Sequence, residues 1–141
     1  MTKIRILLVD DFKPWRIAAK RILSALSDCQ IVGEASDGVE GIEKAGSLLP
    51  DVVLLDVGMP RLDGLEAARR IAQVSPKSKI VFLTEQNDDE VRSAALATGA
   101  AEYVLKSRAA SELQLRLEGL ARMAGETSAS FLRPAATFPS Q

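Results

Sequence analysis

Short apolar runs and longer stretches of helical period alternate along this chain from its first residues. Ile4 to Val9 reads as a compact strand, β1. Lys13 to Leu26 follows as a helix, α1, with Trp15, Ala18, Ala19, Ile22 and Leu26 recurring at helical spacing. Gln30 to Ala35 is a second strand (β2), and Asp37-Gly38 opens a short helix (α2) that carries Val39, Ile42 and Ala45 inward. Asp51 to Asp56 (β3) holds Val52-Val53-Leu54-Leu55, the continuous apolar run of a strand covered on both faces. Asp63 caps a helix (α3) through Val74, with Leu62, Leu65, Ala68 and Ala72 on one face and a stop before Pro76. Lys79 to Thr84 is a fourth strand (β4), Asp88 to Thr98 an Ala-rich helix (α4) ended by Gly99, and Ala101 to Leu105 the fifth strand (β5). Ala109 to Ala124 is the last helix (α5), striped by Leu113, Leu117, Leu120 and Ala124.

Five strands alternating with five helices predict an α/β domain: a five-stranded parallel sheet with helices on both faces. Right-handed crossovers leave few topologies, and the flavodoxin-like order 2-1-3-4-5 suits five units. In such a sheet a site lies beyond the carboxyl ends of the strands, at the switch point between β1 and β3. The domain is expected to span 1–124. Residues 125–141 lack periodicity and are rich in Ser, Ala, Thr and Pro, so they read as a flexible C-terminal tail with no output domain.

Composition narrows the chemistry. The 141 residues fit one core, and 47% hydrophobic with 26% charged content is ordinary for a soluble globule. Eighteen Lys and Arg against nineteen Asp and Glu leave no global basic field for direct nucleic acid binding or an anionic membrane. A single cysteine, Cys29, excludes an internal disulfide framework, and no apolar run reaches membrane-span length, which together place the chain in the cytoplasm. The absence of histidine excludes Ser-His-Asp and Cys-His nucleophiles and histidine metal sites. Chemistry must run on carboxylates, hydroxyls, lysine and backbone.

Polar groups gather at the strand ends. Asp10 and Asp11 end β1, Asp56 ends β3, Thr84 ends β4 and Lys106 follows β5. Taken singly, Asp10-Asp11 would be a helix cap and Asp56 a turn residue. Together they form a carboxylate cluster, which costs electrostatic free energy unless a divalent cation fills it, and hard oxygen ligands suit Mg²⁺. Lys106 and the Thr84 hydroxyl complete a cradle for a phosphoryl group, with Asp56 as the carboxylate nucleophile.

The stretches IRILLVDD (4–11), DVVLLDVGMP (51–60), DGL (63–65), VFLT (81–84), GAA (99–101) and YVLK (103–106) resemble a receiver domain of the response regulators of bacterial two-component signalling. The match runs from residue 4 to about 122, and IVGEASDGVEG looks most like the branch whose members often carry a helix-turn-helix domain. The resemblance implies that Asp56 is phosphorylated by a sensor histidine kinase or phosphotransfer protein. It implies Mg²⁺ held by Asp11, Asp56 and the Gly58 backbone carbonyl, with Asp10 acting mainly through water. Thr84 would bond the phosphoryl oxygen, Lys106 would pair with it, and Tyr103 would turn inward when Thr84 moves. The signal would leave through the α4-β5-α5 face to a downstream protein partner or a phosphorylation-dependent homodimer. Such a chain is not an enzyme in the usual sense but a phosphoacceptor that assists its own phosphotransfer and slow self-dephosphorylation.

Two positions, Glu85 and Ser107, depart from the family pattern, and Gly58 also bears on the site. Glu85 stands beside Thr84 where the family has a small residue, so it either meets an incoming phosphodonor or points to solvent. Ser107 replaces a proline that commonly has a cis bond, so the loop aiming Lys106 takes another path or holds a strained bond. Gly58 leaves room for water near the acceptor. Four rival readings share much of the pattern: a phosphate sink or shuttle, a pseudo-receiver binding module, a flavodoxin-like cofactor carrier, and a haloacid-dehalogenase-like phosphatase. The phosphatase needs a second aspartate two residues after the nucleophile, where Gly58 stands, and the carrier needs a phosphate cradle after β1 that is absent.

Overall fold

The structure is a computed structural model that describes residues 3–59 and 62–125. Pro60, the tail from residue 126 and the side chain of Ala124 lie outside the described residues. The observed elements are β1 (Ile4–Val9), α1 (Lys13–Ser24), β2 (Cys29–Ala35), α2 (Gly38–Leu48), β3 (Val52–Leu55), α3 (Gly64–Val74), β4 (Lys79–Thr84), α4 (Asp89–Ala97), β5 (Glu102–Leu105) and α5 (Ala109–Gly125). A short 3₁₀ turn, Lys106–Arg108, joins β5 to α5. The sheet is wholly parallel in the order β2-β1-β3-β4-β5, the order expected from the sequence.

The apolar runs of β1 and β3 follow from two-sided burial. Leu7, Val9, Val53 and Leu55 point to the face covered by α2 and α3, while Ile6, Leu8, Val52 and Leu54 point to the face covered by α1 and α5. Alternation by one residue sends successive side chains to opposite faces, so a strand buried on both sides has no polar positions. Each fully enclosed side chain such as Leu54 or Phe82 contributes roughly 1.5–3 kcal/mol relative to exposure.

Helix caps are chemical where the sequence placed aspartates. Asp37, Asp63 and Asp88 each accept a hydrogen bond from backbone amides in the first turn of α2, α3 and α4. Two inward assignments are corrected. Val39 is exposed, because α2 buries the small residues Gly38, Gly41 and Ala45, and Gly41 lets the helix lie close to Val9. Ala72 is exposed too, since α3 turns Gly64, Ala67, Ala68 and Ile71 to the sheet. In α1 the stripe gains Leu23, which is fully buried, and the helix ends at Ser24 rather than Leu26.

Register then sets the strand ends level. Val9 pairs with Leu55, so Asp10 and Asp56 emerge side by side, and the Asp56 amide donates to the Val9 carbonyl at 3.2 Å. Thr84 pairs with Leu105, which delivers Lys106 to the same edge.

Candidate functional site

Asp10, Asp11 and Asp56 each offer a carboxylate oxygen within 4.8 Å of the others. Asp10 and Asp56 are buried and Asp11 is exposed, so the cluster has a closed floor and one open side. Neither Asp10 nor Asp11 caps α1: its N-cap is Phe12, and Pro14 lies in its first turn. Instead one Asp10 oxygen accepts from the Phe12 amide at 2.8 Å and the other takes the Lys106 ammonium at 2.7 Å. Both Asp10 oxygens are thus engaged. Arg16 on α1 donates to the Asp10 carbonyl and steadies the same turn.

Lys106 also stands 3.6 Å from Asp56, so one ammonium serves two carboxylates. Burial pushes the Asp56 carboxyl above its ordinary value; Lys106 opposes this, Asp10 adds to it, and the Thr84 hydroxyl and Gly58 amide draw it back. The donor set is all oxygen, with Asp11 exposed on one side. That is the chemistry of Mg²⁺. Lys106 leads into the 3₁₀ turn with Ser107, and among the described residues there is no cis peptide bond. The loop therefore takes another path, and that path still aims the ammonium at the cluster.

The β3–α3 connection is fixed by a residue whose role the sequence did not disclose. A Cβ on Gly64 would lie 2.0 Å from the Asp56 carbonyl oxygen, and the Gly64 amide donates to the Val57 carbonyl at 2.7 Å. Only glycine permits that approach, so Gly64 sets the backbone from which Asp56 projects. The signal was present in the Asp63-Gly64-Leu65 stretch, without its physical reason.

Thr84 is buried, and its hydroxyl accepts from the Gln86 amide at 3.3 Å. Tyr103 is turned inward, and its hydroxyl donates to the Gln86 carbonyl at 2.7 Å. Its ring packs on Phe82 at 6.2 Å and lies under the Arg92 guanidinium at 4.6 Å. Gln86 and Arg92, which sequence reasoning passed over, thus tie Thr84 and Tyr103 to α4. Glu85 is exposed and lines a cleft of about 310 Å³ with Trp15, Lys106 and Ser107. The Lys106 ammonium lies 5.2 Å from the Trp15 ring centre, while the indole nitrogen is buried without a hydrogen-bond partner among the described residues.

The family model described as the response regulator receiver domain matches residues 6–118. The chain belongs to the receiver family of response regulators. It is 40% identical over 110 residues to the transcriptional regulatory protein LiaR of Bacillus subtilis, covering 78% of this chain and 52% of that protein. With the nitrate/nitrite response regulator NarL of Escherichia coli the identity is 43% over 101 residues, 72% of this chain and 47% of the relative. The chain thus spans about half the length of these curated relatives. Among solved structures, the signal receiver domain of the putative response regulator NarL from Mycobacterium tuberculosis superposes with a TM-score of 0.80 at 30% identity, covering 86% of this chain and 98% of that one. The response regulator domain of Thermotoga maritima CheB gives 0.72 at 30% identity, with 89% and 97% covered. The receiver is therefore a module of two-component signalling. Among the described residues no helix is long and apolar enough to cross a membrane.

Proposed function

We propose that this receiver is a phosphorylation-activated cytoplasmic switch in which Asp56 accepts a phosphoryl group from a histidine kinase or phosphotransfer protein. The observation that carries the reading is the convergence of three carboxylates with Lys106, which reaches both Asp10 and Asp56. An Asp56 oxygen attacks phosphorus, the bond from phosphorus to the donor breaks with its electron pair leaving on the donor, and an acyl phosphate remains. Mg²⁺, held by Asp11, Asp56 and the Gly58 carbonyl, would supply positive charge against the phosphoryl oxygens. Asp10, with both oxygens occupied, orients Lys106 and contributes charge through water. Lys106 moves from carboxylate to phosphoryl oxygen, and the Thr84 hydroxyl donates to another.

The switch reading over a plain phosphate sink is favoured by one specific arrangement. Thr84 and Tyr103 both bond to Gln86, which leads into α4, so a phosphoryl oxygen drawing on Thr84 disturbs a contact shared with β5. That supplies the differential interaction a two-state element requires, with the α4-β5-α5 face as output to a protein partner or a second copy.

Intact-mass measurement after treatment with a small phosphodonor and Mg²⁺ tests the assignment. One phosphoryl adduct is expected on the native chain and none on Asp56→Asn, with the fold retained by circular dichroism. An adduct that survives the substitution moves the acceptor elsewhere.

A further inference from the structure

The cleft lined by Trp15, Glu85, Lys106 and Ser107 shares Lys106 with the carboxylate cluster, and the Lys106 ammonium stands 3.6 Å from Asp56. Whatever leaves phosphorus during transfer must depart on the side away from the Asp56 oxygen. The Lys106 charge is already engaged by Asp10 and Asp56. Glu85 therefore brings to this cleft a negative charge that no ion pair among the described residues offsets. Trp15 adds a flat, largely apolar wall, and Ser107 a hydroxyl. An anionic leaving group entering such a cleft meets a carboxylate, whereas a cationic ring meets a counter-charge and an aromatic surface.

We propose that this cleft is the leaving-group site of phosphoryl transfer, and that Glu85 makes the receiver selective for N-phosphorylated imidazoles over acyl phosphates. The inference rests on Asp56 being the phosphoacceptor. The two donor classes carry the same phosphoryl group and differ in what departs. From a phosphoimidazolium, the phosphorus–nitrogen bond breaks with its electron pair returning to nitrogen, the new bond forms to an Asp56 oxygen, and a neutral imidazole leaves. Its second nitrogen keeps the proton it already carried, and Glu85 accepts a hydrogen bond from that N–H. From acetyl phosphate, the phosphorus–oxygen bond breaks and acetate leaves, developing negative charge next to Glu85. Glu85 touches the leaving group and not the phosphoryl group, so it acts on the choice of donor. A departure from the family pattern thereby becomes insulation against metabolic acyl phosphates.

The test compares initial rates of Asp56 phosphorylation by monophosphoimidazole and by acetyl phosphate, with Mg²⁺ at low ionic strength, for the full chain and for Glu85→Gln and Glu85→Ala. The ratio of the two rates is expected to fall roughly fivefold or more in Glu85→Gln, the factor for one unit-charge interaction near 4 Å in water. Glu85→Ala should match it, and added salt should shrink the native ratio toward that of the variants. An unchanged ratio in Glu85→Gln overturns the proposal, as does a change confined to Glu85→Ala, which would show bulk rather than charge at work. Labelling that fails with both donors, or persists in Asp56→Asn, overturns the acceptor assignment itself and this inference with it.

Discussion

Asp56 at the end of β3 and Glu34 on β2 each face a lysine, and the two carboxylates are driven in opposite directions. Asp56 is enclosed, so burial dominates and lifts its carboxyl above the ordinary range although Lys106 stands 3.6 Å away. Glu34 is about a third exposed, with Lys20 at 2.7 Å and Arg16 at 3.2 Å, and the Lys20 hydrogen bond outweighs desolvation and holds it low. The partners are alike; the surroundings differ. On the flank of the sheet a carboxylate with two cations clasps α1 to β2 and stays content as an anion. At the carboxyl edge, packing removes water from Asp56 and Asp10 together, and one lysine cannot satisfy both. That shortage of positive charge at the edge is one a divalent cation would answer, and the flank has no such shortage.

Removing the lysine from each pair breaks the comparison most directly. Lys106→Met leaves Asp10 and Asp56 buried without their cation, and a loss of about 3 kcal/mol is expected in Mg²⁺-free urea denaturation. Lys20→Met leaves Arg16 on Glu34 at a partly solvated site and should cost under about 1 kcal/mol. Equal losses would show that burial does not distinguish the pairs.

The next effect is smaller and concerns the edge alone. Mg²⁺ at about ten times its dissociation constant should stabilise the fold by about 1.4 kcal/mol, since the cluster exists only in the folded chain. Asp11→Asn removes the open-side carboxylate and should abolish most of that gain. An equal rise in melting temperature for both proteins would remove Asp11 from the metal site.

How far the sequence disclosed this molecule follows from the same contrast. The sheet order was legible because five strands alternate with five helices and right-handed crossovers leave few topologies, and Val52 to Leu55, with no polar position, declares a strand covered on both faces. Asp10, Asp11, Asp56, Thr84 and Lys106 were legible as a group because strand ends are adjacent in any parallel sheet, whatever the packing. Side-chain direction on the helices was not. Val39 and Ala72 look like core residues by type, but α2 and α3 approach the sheet through glycine and alanine, and close approach turns larger neighbours outward. The roles of Gly64, Gln86 and Arg92 arise from contacts across loops, which no local pattern carries. The trans path through Ser107 belongs with them: sequence opened the question, and the 3₁₀ turn answers it.

The finest separation of the two regions is in pH. Glu34 has a folded value below its unfolded one of about 4.3, so its stabilisation is complete above that point and is lost as the pH falls through the lower folded value. Asp56 has a folded value above its unfolded one of about 3.9, so the sign reverses. Its ionisation costs the fold nothing below the unfolded value and an increasing amount as the pH rises through the folded value. Asn at position 56 keeps the shape of the neutral carboxyl and cannot ionise. In Mg²⁺-free buffer, Asp56→Asn should therefore become more stable than the native chain as the pH rises from about 3 to about 7, with the two converging in acid. The loss caused by Lys20→Met should shrink in the acid direction, staying under about 1 kcal/mol throughout. Urea denaturation of the three proteins across that range reads both trends. Parallel profiles for native chain and Asp56→Asn would mean that Lys106 neutralises Asp56 fully, and the edge would then differ from the flank in geometry alone.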